Sequence, residues 1–432
     1  MLNHENNEGY MKILATSDWH LGNLFHGYDR LREHRHFLSW LLIQIEEQQP
    51  DALLIAGDVF DNGNPSAAAQ SVYYEFLAKA TQTCRQMQII ITAGNHDSAS
   101  RLEAPRPLLT HHQVEIRGNV HRSWVMDEEG GSWQIDYDDL MIPITGKDGD
   151  RAVVLAVPYL RSDVVQNASY SKGVNNILRT LTAKAKEKYP GLPLVMMAHM
   201  YAKGADIAKK DASEKIIIGG QEEVNMEGWT THPDYLTCGH IHKRQHIWNT
   251  DWARYSGSIL PMSFAEKDYT HGIDLVTLSK NSKPIVRQFI YQPQHKLVIL
   301  PENDEELSPQ KLRKLIDEKL PKKVNGQLDE HFYYVTLKVR LEKISNDDIK
   351  ALEDLVNEKN AVLCRIQKII PLMDIQPIAG QESLRSIEDI LNRDAMDTLR
   401  EAFVIQHHKE MNEQQEAMLT ELINGIKNET ND

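Results

Sequence analysis

The sequence contains little cysteine and no long apolar run. Its three cysteines (Cys84, Cys238 and Cys364) are odd in number and far apart, and no two of them form a CxxC pair. Such spacing provides no disulfide framework, so we expect a reducing, cytoplasmic location. Because no apolar stretch approaches the ~20 residues of a membrane span, we expect no membrane association.

An excess of positive charge is also absent. The chain has 62 Asp and Glu residues against 48 Lys and Arg residues, which gives a formal net charge of −14. Domains that bind nucleic acid without help usually carry a basic surface, so this balance argues against a self-sufficient nucleic-acid binder. It does not exclude a local basic groove on an acidic protein.

The first two thirds of the chain predict one large sheet-rich domain. Residues 1–10 are polar and lack the apolar core of a signal peptide, so we expect a short disordered leader there. In residues 11–282, short apolar strands alternate with amphipathic helices. One helix is predicted at 34–48, and another begins at Asn64-Pro65, which are interpreted as its N-cap and first residue.

The sequence pattern changes after residue 282. Residues 283–380 predict a small α+β domain that begins with a strand at 285–290 and contains a helix capped by Ser308-Pro309. Residues 381–432 predict charged helices with one apolar stripe. That stripe packs either on its own protein or on a partner helix.

Polar side chains follow five predicted buried strands, at the point where each strand ends. They are Asp18 and His20, Asp58, Asn95 with His96 and Asp97, His199, and His240 with His242. Side chains at i and i+2 of extended backbone point the same way. A parallel-type sheet would also bring all five strand ends to one edge. A single such cluster is equally well explained by a turn or by surface polarity, but their recurrence favours one site.

The side chains of this predicted site offer imidazole, carboxylate and one amide, without a thiolate. Such donors suit Mn²⁺, Fe²⁺ or Zn²⁺ in a catalytic centre. The candidate ligands are Asp18, His20, Asp58, Asn95, His199, His240 and His242. They exceed the need of one ion but fit two ions ~3.5–4 Å apart that share a carboxylate. Asp58 follows the central strand and is the predicted shared ligand.

His96 lies beside a candidate ligand but need not bind metal. Cleavage of a phosphate ester leaves an alkoxide, which a positioned histidine can protonate. We therefore predict that His96 is catalytic and that Asp97 is the carboxylate that orients its ring.

The order of these motifs, D-x-H, G-D, G-N-H-D, H and G-H-x-H, resembles that of the calcineurin-type metallophosphoesterases. Longer matches resemble the nuclease subunits of bacterial SbcCD complexes, which are related to the double-strand-break repair nucleases of archaea and eukaryotes. These matches lie at 16–22, 56–61, 213–220, 238–243 and 255–258. The resemblance is strong over 11–280, extends in order and size to a capping domain at 283–378, and is only general for the C-terminal helices.

The resemblance implies an α/β fold, a four-layer α/β/β/α sandwich with a small α+β capping domain and C-terminal helices. It implies one metal ion on Asp18, His20, Asp58 and His242, and a second on Asp58, Asn95, His199 and His240, with His96 catalytic. The two divalent ions are expected to be Mn²⁺. Asp61 is a departure, since relatives outside bacteria often carry histidine there.

The same resemblance implies a 3′→5′ exonuclease on duplex DNA ends that is also an endonuclease on single strands and hairpins. It implies a homodimer within a heterotetramer, bound through its C-terminal helices to an SMC-like ATPase of the SbcC type. The alternatives are a metallophosphoesterase acting on a small phosphate ester and a non-catalytic scaffold on the same fold. The extra domain and tail argue against the former, and the complete ligand set argues against the latter.

Candidate DNA contacts are weaker than the metal prediction. The basic residues near the ligand-bearing strand ends are Lys203, Lys209, Lys210, Lys243 and Arg244. Each is equally interpretable as solvated surface. The acidic balance suggests that the ATPase partner provides much of the salt-dependent grip on DNA.

Overall fold

The computed structural model describes residues 11–126, 130–165, 169–206, 223–226, 229–248, 250–279, 282–303, 307–340 and 344–369. The predicted leader, the motif at 213–220, Lys209, Lys210 and the C-terminal helices lie outside the described residues. Among the helices that the structure describes, none is long and apolar enough to cross a membrane. All three cysteines are free thiols.

The strands of the described chain are numbered in order. They are β1 (Met11–Thr16), β2 (Leu24–Phe25), β3 (Tyr28–Asp29), β4 (Ala52–Ala56), β5 (Gln88–Thr92), β6 (Val114–Arg117), β7 (Arg122–Val125), β8 (Ser132–Ile135), β9 (Met141–Thr145), β10 (Arg151–Ala156), β11 (Leu194–His199), β12 (Tyr235–Gly239), β13 (Gln245–His246), β14 (Ala253–Tyr255), β15 (His271–Leu278), β16 (Ile285–Tyr291), β17 (Lys296–Leu300), β18 (Tyr333–Arg340) and β19 (Ala361–Ile369).

The helices are numbered in the same way. They are α1 (Leu31–Gln48), α2 (Ala67–Thr83), α3 (Ala99–Glu103), α4 (Arg106–Leu109), α5 (Ser162–Val165), α6 (Tyr170–Lys188), α7 (Pro309–Lys319) and α8 (Asn346–Asn357). One 3₁₀ turn at Phe264–Glu266 also bears on the candidate site.

Two six-stranded sheets carry most of the core. The first has the order β16-β15-β1-β4-β5-β6, and the second has the order β13-β14-β12-β11-β10-β9. In the first sheet β1, β4, β5 and β6 are parallel, and β15 and β16 are antiparallel additions beside β1. In the second sheet β10, β11, β12 and β14 are parallel. Parallel strands of this kind are buried on both faces, as their continuous apolar sequences predict.

The alternation of side chains along each strand sorts the core into layers. On β4, Leu53 and Ile55 pack with α1 and α2, whereas Leu54 packs against the second sheet. The far face of the second sheet packs on α6 through Leu178 and Leu181. The layers are therefore α/β/β/α, and the predicted fold class is confirmed.

The starts of two helices test the capping predictions. Ser308 caps α7 with Pro309 at the first helical position, as predicted. Helix α2 begins later than predicted, because its N-cap is Ser66 and not Asn64. The Ser66 hydroxyl accepts a hydrogen bond from the Ala69 amide at 3.2 Å, which satisfies a free donor of the first turn.

The small domain has a parallel three-stranded sheet, β17-β18-β19, with α7 and α8 as the connections. The strand predicted at 285–290 does not belong to this sheet, because β16 pairs with β15 in the first large sheet. We use "small domain" below for the described residues of 296–369. Both it and the two large sheets lie within one unit, Met1–Ile369.

The two faces of the small sheet have different partners. One face packs on α7 and α8 through Val335 and Leu337. The sequence alternation predicts that Tyr334 points to solvent on the other face, but Tyr334 is 1% exposed. It packs with Val362 against Phe25 and Phe264 of the two-sheet part.

Candidate metal centre

The five predicted strand ends do come together, but they belong to two sheets and not to one. β1, β4 and β5 are neighbours in the first sheet, and β11 and β12 are neighbours in the second. Because the two sheets stack face to face, both present carboxyl ends to a common edge. That edge corresponds to the place where open α/β sheets bind their ligands.

The backbone reaches this edge in an unusual conformation. Asp18, His20, Asp58 and His240 have φ values of +51°, +46°, +49° and +94°. These lie in or near the left-handed region, so the extended geometry that we predicted for Asp18 and His20 is wrong. Hydrogen bonds from the Asp18 amide to Gly57 O (3.1 Å) and from the His20 amide to Asp58 O (3.0 Å) hold the first two loops together. Strain of this kind is concentrated at functional sites.

Three overlapping groups of side chains place their ligand atoms within 4.8 Å of one another. The groups are Asp18, His20 and His242; His20, Asp58 and His96; and Asp18, Asp58 and His199. Carboxylates and imidazoles at such separations are the first requirement of a metal centre.

Asp58 occupies the middle of the arrangement. Its Oδ2 lies 3.7 Å from His20 Nε2 and 3.3 Å from His199 Nε2. Burial alone would raise the pKa of Asp58, but the surrounding imidazoles of His199, His20 and His96 hold it well below its ordinary value. An ionised carboxylate between two histidines is the geometry expected of a shared ligand.

A second convergence surrounds Asn95. Its side-chain oxygen lies 3.0 Å from His199 Nε2 and 2.9 Å from His240 Nδ1. The other ring nitrogen of His199 lies 3.0 Å from the carbonyl of Ala56, which accepts from it and leaves Nε2 directed at the site. Burial would lower the pKa of His199, but Asp58 raises it to about 9. Positive charge is therefore favoured where Asp58, Asn95 and His199 meet.

His20 tests whether the site suits a cation. It is 3% exposed, and neither of its ring nitrogens has a hydrogen-bond partner among the described residues. Its nearest carboxylate oxygens, on Asp58 and Asp61, lie 3.7 and 3.6 Å away. A buried polar group without a partner costs about 1–3 kcal/mol. A divalent cation that accepts the His20 lone pair would remove this cost, so these residues fit a metal ion.

His96 is oriented differently from the prediction. Its Nδ1 donates to the backbone carbonyl of Asp61 at 2.8 Å, which leaves Nε2 as the reactive nitrogen. The Asp97 carboxylate instead accepts backbone amides of Val59, Phe60 and Gly94 at 2.9–3.1 Å. The prediction that Asp97 orients His96 is therefore wrong, and Asp97 ties together the loops after β4 and β5.

Glu266 is the residue near the site that sequence reasoning missed. Its Oε1 lies 2.9 Å from His242 Nδ1, and its Oε2 accepts the Met262 amide at 2.8 Å. Burial would lower the pKa of His242, but Glu266 raises it to about 9. No local motif marks Glu266, because it follows His242 by 24 residues in an irregular segment. A His-carboxylate contact on the side away from the ion fixes the ring of a metal ligand.

The three candidate DNA contacts have different surroundings. Lys203 is exposed. Lys243 pairs with Asp206, and its ammonium group lies 5.9 Å from the centre of the Tyr269 ring. Arg244 is buried and pairs with Asp274, which excludes it as a surface contact for DNA and corrects that prediction.

Comparison with known proteins supports this site. The profile of the calcineurin-like phosphoesterase family matches residues 11–244, which include every candidate metal ligand. The SbcD subunit of the SbcCD nuclease of Rhodobacter capsulatus is 35% identical over 285 residues, which cover 63% of this chain and 68% of that protein. The corresponding subunit of Escherichia coli K12 is 32% identical over 283 residues, which cover 62% of this chain and 65% of that protein.

A solved structure, TT1561 of Thermus thermophilus, is 14% identical and covers 65% of this chain and 99% of that one, with a TM-score of 0.35. That score is too low to bear on function. The profile match covers more than half of the 432 residues, and the R. capsulatus relative is aligned over more than two thirds of its length. The chain therefore belongs to the calcineurin-like phosphoesterase family and, within it, to the SbcD family of SbcCD nuclease subunits.

Proposed function

We propose that this protein is a DNA nuclease that hydrolyses phosphodiesters with two divalent ions, expected to be Mn²⁺. The observation that carries the proposal is the convergence of seven predicted ligands from two sheets on one edge, with Asp58 between His20 and His199. The relatives named as SbcCD nuclease subunits support DNA as the substrate.

The proposed ion sites divide the ligands between them. One ion would be held by Asp18, His20, Asp58 and His242, and the other by Asp58, Asn95, His199 and His240. Two such ions would supply Lewis-acid polarisation of the phosphate and a water molecule of lowered pKa. Since Asp58 is common to both sets, it would also reduce the repulsion between the ions.

His96 would manage the proton on the leaving side of the reaction. The Asp61 carbonyl accepts from Nδ1 and thereby fixes the ring, so Nε2 holds the proton that neutralises the departing alkoxide. The His96 amide also donates to Asp58 Oδ1 at 2.8 Å, which ties the position of this histidine to the shared ligand. His96 therefore lies beside both ion sites without being required by either.

We further propose a cytoplasmic homodimer in complex with an SbcC-type ATPase, bound through the helices predicted at 381–432. The two-part names of the relatives support a partner subunit. The net charge of −14 supports a division of labour in which the ATPase supplies much of the electrostatic grip on DNA. The complex is expected to act as a 3′→5′ exonuclease on duplex ends and an endonuclease on hairpins and single strands.

The test uses the purified full-length chain with Mn²⁺ on end-labelled duplex DNA, a DNA hairpin and bis-p-nitrophenyl phosphate. We expect cleavage of all three, loss of cleavage in Asp58→Ala, and unchanged cleavage in the matched control Asp268→Ala, which removes an exposed carboxylate. Adding an SbcC-type ATPase should raise DNA cleavage. Hydrolysis of the small ester with no DNA cleavage, even with the ATPase present, would contradict the proposal and favour a small phosphate ester as the substrate.

A further inference from the structure

Glu266 joins the candidate metal centre to a segment that carries no metal ligand. One carboxylate oxygen contacts His242 Nδ1 at 2.9 Å, and the other accepts the Met262 amide at 2.8 Å. Both acceptor arms of this buried side chain are therefore used. The direction of the His242 ring depends on where the segment at 261–266 lies.

That segment is held in turn by a buried ion pair. Arg30 Nη1 donates to the Pro261 carbonyl at 2.5 Å. The same guanidinium donates from Nε and Nη2 to the two oxygens of Glu33, at 2.8 and 2.9 Å. Arg30 and Glu33 are 0% and 1% exposed, so their geometry is fixed by packing as well as by charge.

The small domain completes this network. The Tyr334 hydroxyl on β18 donates to Glu33 Oε1 at 3.1 Å, a contact between residues 301 positions apart. The ring of Tyr334 lies 4.9 Å from that of Phe25, which in turn lies 5.3 Å from that of Phe264. Phe264 begins the turn that ends at Glu266. Polar and apolar contacts thus run in parallel from the small domain to the segment beside His242.

We propose that Glu266 is a positioning residue for His242 and that the small domain, through Tyr334, holds the 261–266 segment in the place where Glu266 can act. This inference rests on the proposed metal chemistry. The Glu266 carboxylate accepts the Nδ1 proton of His242 and so directs the Nε2 lone pair to one of the two ion sites. The small domain thereby influences the affinity of that site without contacting the ion.

The first test measures Mn²⁺ binding to the metal-free full-length chain by calorimetry, with bound Mn²⁺ counted by electron paramagnetic resonance. Glu266→Gln keeps the side-chain volume but turns one acceptor arm into a donor. We expect about 10–100-fold weaker binding at one site and unchanged binding at the other. The control Asp268→Asn removes one negative charge from an exposed position two residues away and should bind like the wild type.

The second test removes only the Tyr334 hydroxyl. Tyr334→Phe should weaken the same site by several-fold, and Glu266→Gln combined with Tyr334→Phe should lose little beyond Glu266→Gln alone. Such non-additivity is what a shared network requires. Additive losses, or a Tyr334→Phe variant that binds like the wild type, would overturn the role of the small domain.

The outcomes separate this inference from the proposed function. If the wild type binds two Mn²⁺ ions and Glu266→Gln binds both equally well, only the positioning role is wrong. Equal weakening of both sites with a lowered urea midpoint would show general destabilisation, and would also overturn it. If the wild type binds no Mn²⁺, both the inference and the proposed metal chemistry are wrong.

Discussion

Histidines at this centre differ in what their second ring nitrogen contacts. His199 uses it on the Ala56 carbonyl, His242 on Glu266, and His96 on the Asp61 carbonyl. In each case the contact leaves the opposite nitrogen for the site. The neighbouring group, more than the histidine itself, decides which nitrogen does the chemistry.

A substitution at His96 separates catalysis from metal binding. We expect His96→Gln to bind two Mn²⁺ ions like the wild type and to cleave DNA about 10²–10⁴-fold more slowly, because general acid–base catalysis contributes a factor of that size. Calorimetry and a timed cleavage assay measure the two effects. Loss of a bound ion would instead show that His96 is a ligand.

At the scale of single elements, an ionic cluster anchors the loop after β12. Arg244 follows the two histidines of that loop and pairs with Asp274 on β15, and Asp274 Oδ2 also lies 3.5 Å from Arg254 Nε. Asp274 is 0% exposed. The carboxylate therefore neutralises two arginines in a place that water does not reach, and joins strands of the two different large sheets.

Removing that carboxylate should cost much stability. We expect Asp274→Ala to lower the free energy of unfolding by about 3–5 kcal/mol, because it leaves buried arginines unpaired. Urea unfolding followed by circular dichroism measures the change. Lys243→Ala, at the exposed neighbour of Arg244, should stay within about 0.5 kcal/mol of the wild type. Similar small effects for both variants would show that the cluster is solvated.

Loop stapling is a second feature at this scale. Asp97 accepts three backbone amides from the loops after β4 and β5, although the Asn-His-Asp sequence is equally compatible with a His–Asp pair. Side-chain pairs between neighbours in sequence are not favoured once the backbone amides of another loop are unsatisfied. The structural use of Asp97 follows from that requirement.

At the scale of the whole molecule, stability should depend on pH through His34. Burial and then the Arg30 charge lower the pKa of His34 from its ordinary value to about 3. Between pH 6.5 and 3 the unfolded chain therefore binds a proton that the folded chain does not, so stability is present above pH 6.5 and falls as pH decreases.

The expected outcome is a smaller acid sensitivity in His34→Gln. Between pH 7 and 5.5 its free energy of unfolding should fall by about 1 kcal/mol less than that of the wild type, as measured by urea denaturation at both pH values. His111→Gln, at an exposed position, is the control and should follow the wild type. A His34→Gln variant with the acid sensitivity of the wild type would show that His34 is protonated in the folded state.

Partner binding belongs to the same scale. We expect deletion from Glu382 onward to leave folding and Mn²⁺ binding unchanged, because every predicted ligand lies within residues 11–244. The same deletion should abolish co-purification with an SbcC-type ATPase. A truncated chain that still co-purifies would place the contact elsewhere.

The ligand set and the fold class could be predicted from the sequence by itself. Each buried strand is a run of adjacent apolar residues, and each candidate ligand directly follows such a run, as Asp58 follows Ala52–Ala56. The chemistry of carboxylate and imidazole without thiolate narrowed the metal in the same way. These signals are local, because they depend on residues next to one another in the chain.

Only the tertiary structure decided how those groups meet. Stacking of two sheets, left-handed backbone at Asp18 and His20, and the contact of Glu266 with His242 depend on residues that are distant in sequence. The burial of Tyr334 is the clearest case, since an alternating strand pattern predicts one buried face and cannot reveal a second partner for the other. Which face is covered depends on packing between domains, and no periodicity within one strand records it.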